Sequence, residues 1–183
     1  PAAGPGEGYT LSDEEVYAQR NDLIRTGRTL VGAAPARGQE LEDNYFGVLK
    51  TRISEFMRDL DETLGSYGIF AKTKHNEVAP AQHELAPVFT TTNVAVDDNQ
   101  LTMELMKKVA QKHHMACLLH EKPFEGVNGS GKHKNWSHST DTGRNMHEPG
   151  ENPEKNTLVM LVTACVTAAI DNYQANLSDC VAC

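Results

Sequence analysis

The sequence predicts an α+β fold with a mainly antiparallel sheet, and two observations carry that expectation. Helical and strand-like segments alternate irregularly, and the turns between them are short, where a regular βαβ array would show strict succession. A length of 183 residues allows one domain with a sizeable core.

The elements follow in order along the chain. Residues 1–10 begin with a small, Gly/Pro-rich run that lacks the basic and apolar regions of a secretory signal, and they read as a linker or a fragment end. Residues 11–20 are polar and predict a short helix capped by Ser12, with Glu15 as its reciprocal partner. Residues 29–34 form a brief apolar run ended by Pro35. In 44–64, Phe46, Leu49, Ile53, Phe56, Met57, Leu60 and Leu64 recur at the three-and-four spacing of an amphipathic helix, which Gly65 and Gly68 close. Strands are expected at 69–72, 75–79, 83–89 and 115–119. A second helix spans 98–114, with Leu101, Leu105, Met106, Val109 and Ala110 on one stripe. A third, 156–174, is apolar almost all round and is expected to pack under other structure on several sides.

The bulk numbers exclude some classes. A formal net charge of −8 argues against a nucleic-acid or anionic-membrane binder, since both need a basic surface. No apolar run reads as a membrane span. Four cysteines make no disulfide framework at this length, so a reducing, cytoplasmic setting is the default, or an organelle if a targeting segment precedes residue 1. Cys180 and Cys183 form a lone C-x-x-C, read as incidental rather than half of a zinc site.

Chemistry concentrates in two places. Residues 122–137 (KPFEGVNGSGKHKNWS) place Gly126, Gly129 and Gly131 behind a strand, where main-chain N–H groups can approach an anion. His133 adds a nitrogen ligand, and Asn135 and Ser137 add short donors and acceptors. Upstream, residues 75–89 (HNEVAPAQHELAPVF) carry Glu77 and Glu84 in apolar surroundings. Their odd separation would put them on opposite faces of one straight strand, but Pro80 breaks the strand and lets both carboxylates turn toward a common space. Two carboxylates and an imidazole suit Mg²⁺ or Mn²⁺ with positions left for nucleotide phosphate.

Together these stretches resemble glutamine synthetase. The 122–137 segment is similar to that family's ATP-region pattern, and Glu-Val-Ala-Pro-Ala-Gln-His-Glu (77–84) is similar to its second hallmark. With Thr-Gly-Arg-Thr-Leu (26–30) and Gly-Gln-Glu-Leu-Glu-Asp (38–43), the wording looks most like the type III branch. The resemblance implies part of a catalytic domain with a curved antiparallel sheet and flanking helices, covering 1–183. It implies an ATP-dependent glutamate–ammonia ligase working through γ-glutamyl phosphate, with Mg²⁺ or Mn²⁺, in a homo-oligomer. By matching positions, Glu77 and Glu84 would hold a first divalent ion and His133 a second. Phe89, Asn135 and Ser137 would bind ATP, and Asn128 and Gly129 would lie along glutamate.

The chain also departs from the pattern. The family's acidic strand motif of the Glu-x-Glu sort, which feeds both metal sites, is expected to lie before residue 1; Glu14-Glu15 does not match it. The C-terminal arginines, the flap glutamate and the small N-terminal sheet domain are likewise expected to lie outside residues 1–183. Lys134 stands beside the metal histidine where a neutral residue is more usual. The chain alone is therefore expected to be inactive. A non-enzymatic scaffold subunit, or a ligase on another amine or acid, remains the alternative. A P-loop NTPase is excluded because Gly131-Lys132 is followed by His133 rather than Ser or Thr.

Overall fold

A computed structural model describes residues 1–179. In chain order the elements are β1 (Ala2–Asp13), α1 (Glu14–Ala18), α2 (Asn21–Thr26), α3 (Thr51–Ser66), β2 (Ala71–Asn76) and β3 (Gln82–Pro87). They continue with β4 (Thr90–Thr91), α4 (Thr92–Lys112), β5 (Met115–Leu118), β6 (Lys132–Ser137) and α5 (Thr157–Asp179). The six strands form one antiparallel sheet with flanking helices, the α+β arrangement expected.

β1 is its centre. One edge of β1 pairs with β3 and β4, and the other pairs with β5 and β6; Thr10 faces Gln82 on the first side and Leu118 on the second. β2 completes the sheet as a hairpin partner of β3. Successive residues of a strand point to opposite faces, and the two faces of β1 differ completely. Tyr9, fully buried, joins Leu85, Met115 and Cys117 beneath the apolar stripes of α3 (Phe56, Met57, Leu60, Leu64) and α4 (Leu105, Met106, Val109, Ala110). Gly4, Gly6 and Gly8 fall on the other face.

Residues 1–10 are thus sheet, not linker. Their glycines serve close approach rather than flexibility: a Cβ on Gly8 would lie 2.0 Å from the Ser130 carbonyl oxygen, and one on Gly6 would lie 2.2 Å from Glu84 Oε1. β1 also runs through the expected first helix, so the cap shifts to Asp13, whose Oδ1 accepts from the Glu15 N–H at 3.1 Å.

α3 begins at Thr51 rather than 44 because Asn44 is used elsewhere; its side chain donates to the carbonyls of Gly38 and Val78, and Phe46 is left exposed. α4 starts earlier than predicted, at Thr92, and carries the expected stripe. The expected strands 69–72 and 75–79 are one strand, β2. α5 departs most from expectation. It is not covered on several sides: Leu161, Ile170, Tyr173 and Leu177 are exposed. Against the expectation that no apolar run reads as a membrane span, Thr157–Leu177 is long and apolar enough to cross one, by length and composition alone. The C-x-x-C of Cys180 and Cys183 lies outside the described residues.

Candidate functional site

The glycine-lined face of β1 is where the predicted site residues meet. Register fixes this: Gly8 lies opposite Glu84, Gly6 opposite His133 and Gly4 opposite Asn135, while His75 lies opposite Glu84 across the β2–β3 hairpin. Phe89 closes the Gly4 end, its Cβ 3.3 Å from where a Gly4 Cβ would stand. Ser137 is two residues beyond Asn135 on the same side of β6. Lys134 and Trp136 point to the opposite face, so Lys134 does not crowd His133.

Pro80 acts as expected, within a turn rather than a bulge. Ala81 has φ of 56°, Gln82 donates to the Ala79 carbonyl at 3.2 Å, and Glu77 N–H donates to the Gln82 carbonyl at 2.8 Å. This tight reversal carries Glu77 back beside Glu84. Among the described residues, His75, Glu77 and Glu84 form a cluster whose ligand atoms all lie within 4.8 Å of one another. Loss of solvent, then the neighbouring Glu84 carboxylate, raises the Glu77 carboxyl to about 7. Glu84 is 5% exposed, and its Oε1 has no hydrogen-bond partner. A buried carboxylate oxygen without a partner is costly unless a cation meets it. The donor set fits one divalent ion.

His75 is the residue sequence reasoning missed. Its Nδ1 donates to the Asn76 carbonyl at 2.8 Å and its Nε2 lies 3.1 Å from Glu84 Oε2. The available signal was proximity: His75 is two residues from Glu77, and the Pro80 turn that returns Glu77 to Glu84 brings His75 opposite Glu84 as well. His133 approaches from the other side, Nδ1 3.8 Å from Glu84 Oε1, but stands outside the three-residue cluster. His83, next to Glu84, faces the core against Tyr9 and bonds Asn76 Oδ1 at 2.8 Å; burial lowers it to about 4.

The glycine loop is held in a way the sequence did not reveal. The buried Gln82 amide clamps the Ser130 backbone from both sides, donating to its carbonyl at 2.7 Å and accepting from its N–H at 2.9 Å. Asn128 N–H donates to Gln39 Oε1, tying the loop to the segment whose Asn44 bonds the Val78 carbonyl. Of the three loop glycines only Gly126 has positive φ, at 74°. Gly129 is needed because a Cβ there would lie 1.8 Å from the Glu121 carbonyl oxygen. Away from this face, His113 is half-buried and bonds Asp59 at 2.8 Å.

The sequence pattern described as "Glutamine synthetase, catalytic domain" matches residues 4–182, which takes in β1 from Gly4 onward. The chain is 62% identical to a glutamine synthetase of Butyrivibrio fibrisolvens over 93% of its own length and 24% of that protein's. It is 46% identical to a type-3 glutamine synthetase of Dictyostelium discoideum over 93% of its length and 23% of the relative's. The chain therefore spans about a quarter of these curated relatives. The Plasmodium falciparum glutamine synthetase structure shares the fold with a TM-score of 0.62 at 17% identity, over 82% of this chain and 32% of that one. A match over almost the whole chain, with glutamine synthetases at 62% and 46% identity, the second a type-3 enzyme, means that the chain belongs to the glutamine synthetase catalytic-domain family.

Proposed function

We propose that this chain forms the metal- and nucleotide-holding wall of an ATP-dependent glutamate–ammonia ligase. The observation that carries the reading is the buried, unpartnered Glu84 oxygen in the His75–Glu77–Glu84 cluster, on the same sheet face as His133, Asn135 and Phe89. Glu77 and Glu84 would hold Mg²⁺ or Mn²⁺, which supplies charge neutralisation for phosphate oxygens. His133 would stand toward the phosphates. Asn135 and Ser137 would bind nucleotide along β6, and exposed Phe89 offers an aromatic surface for the base. Asn128 and Gly129, on the loop that Gln82 fixes, would line the glutamate side. Ammonia would complete the reaction in the full-length protein, assembled as a homo-oligomer; the chain alone would not turn over.

The test is a fluorescent ATP analogue titrated onto the chain with Mg²⁺ or with chelator. Binding should require the divalent ion, disappear in Glu84→Gln and weaken in Asn135→Ala. Equal binding in chelator, or none in a folded chain, refutes the reading.

A further inference from the structure

We infer that this site holds a single divalent ion, coordinated by His75, Glu77 and Glu84, and that β1 leaves no room for a second; the inference rests on the metal–nucleotide reading above and narrows it.

Three features place the ion. A carbonyl oxygen only accepts, so the 2.8 Å contact to Asn76 makes His75 Nδ1 the donor and leaves Nε2 as the nitrogen that meets Glu84 Oε2, at 3.1 Å. That approach needs positive charge between the nitrogen and the carboxylate, supplied by a proton or, in its place, by a metal ion. About 3 Å is the separation of two adjacent ligands on an octahedral ion with bonds of about 2.1 Å. The second feature is Glu84 Oε1, buried and without a partner. The third is Glu77, whose carboxylate the Pro80 turn returns to the same spot.

A second ion would need oxygen ligands beside His133, and β1 is the strand that runs there. Its two residues facing that space, Gly6 and Gly8, have no side chains. Glu7, between them, faces the core. It is 3% exposed, paired to Lys132 Nζ at 2.7 Å, and accepts from Asn99 Nδ2 at 3.1 Å. A slip of one residue would bring Glu7 round, but it would also expose Tyr9 and strand Lys132. The space over Gly6 is already taken, since Glu84 Oε1 lies where its Cβ would point. His133 is left with a side chain 62% exposed and Glu84 as its acidic neighbour.

The ligand class follows. One imidazole with two carboxylates favours Mn²⁺ over Mg²⁺, which prefers oxygen alone. A single ion anchors a nucleotide's phosphates but does not clamp the attacking and leaving oxygens from both sides, as a pair does. The chain is thus a metal–nucleotide binding wall without two-metal phosphoryl transfer.

The test is Mn²⁺ titration of the full 183-residue chain after chelator treatment, followed by electron paramagnetic resonance. One Mn²⁺ per chain is expected, with one ¹⁴N coupling. His75→Ala should remove that coupling, and His75→Ala and Glu84→Gln should each weaken binding at least about tenfold, the scale of losing a metal-site interaction. His133→Ala should change affinity less than about twofold. His75→Gln gives the same readout if His75→Ala alters the unfolding midpoint in chelator. Two ions per chain, one of them lost in His133→Ala, would overturn the single-ion inference while leaving the metal–nucleotide reading intact. A ¹⁴N coupling that survives His75→Ala and vanishes in His133→Ala would overturn the ligand assignment. No Mn²⁺ binding by a chain with folded circular dichroism would overturn both.

Discussion

Replacing Lys132 by methionine tests whether the Glu7–Lys132 pair fixes the register of β1. Glu7 is nearly inaccessible to water, with Lys132 Nζ at 2.7 Å and the Asn99 amide at 3.1 Å. Removing one partner of a buried ion pair costs about 3–5 kcal/mol, because the remaining charge is stranded. Two features reduce that figure: the Lys132 side chain is 29% exposed, so water already reaches the ammonium, and Asn99 stays on the carboxylate. We therefore expect Lys132→Met to cost about 2–3 kcal/mol. Glu7→Gln should cost less, about 1 kcal/mol, since it leaves a half-solvated ammonium rather than a buried carboxylate. The double variant should recover part of the loss, with a coupling of at least about 1 kcal/mol. Urea unfolding of the four proteins in chelator supplies the cycle. Additive losses, or a Lys132→Met cost no larger than that of Glu7→Gln, would show that the pair does not hold the strand.

Three other expectations follow from the geometry. Gly8→Ala puts a methyl 2.0 Å from the Ser130 carbonyl oxygen and should destabilise by about 1–3 kcal/mol, whereas Gly65→Ala, with open space around it near the end of α3, should stabilise by up to about 1 kcal/mol; equal effects in urea unfolding would refute the close-approach account. His83 is held neutral, its folded value of about 4 lying below the unfolded 6.5, so the unfolded chain binds the proton first. Its stabilisation is therefore complete above about pH 6.5 and is lost as pH falls toward 4, up to about 3 kcal/mol in chelator, and His83→Gln should flatten that slope. Burial pushes the Cys117 thiol up to about 12 while Cys165 is exposed; iodoacetamide at about pH 8 should label Cys165 and spare Cys117, read by mass spectrometry.

What the sequence revealed is local in origin. The stripe Phe56, Met57, Leu60 and Leu64 and its counterpart on α4 declare themselves within a few turns of helix, and the structure buries both. Glu77 and Glu84 were legible for the same reason, since a proline turn between them decides their meeting. β1 was not legible, because its glycines answer to Glu84 and Ser130, which lie far along the chain; in isolation they look like linker. β6 was hidden because Lys132–Ser137 sits with neither face in the main core and shows no apolar alternation. His75 needed the length of the turn, which sets its cross-strand partner, and not just its own neighbours.

The glycines of β1 and the unpartnered oxygen of Glu84 are one feature seen from two strands. Glycine inside a strand costs about 0.5–1 kcal/mol relative to alanine, and β1 carries it at positions 4, 6 and 8. A strand so weakened persists because it is bonded along both edges, with Tyr9 and Leu11 packed from below. The bare upper face then determines where Glu84 can go. With any side chain at position 6, the Glu84 carboxylate would have to withdraw from the space it now fills, 2.2 Å from the ideal Cβ. With none there, it lies between His75 and His133, buried and lacking a hydrogen bond on one oxygen. The backbone choice made in β1 thus sets both how many ligands the site offers and how strongly the buried Glu84 carboxylate demands a cation.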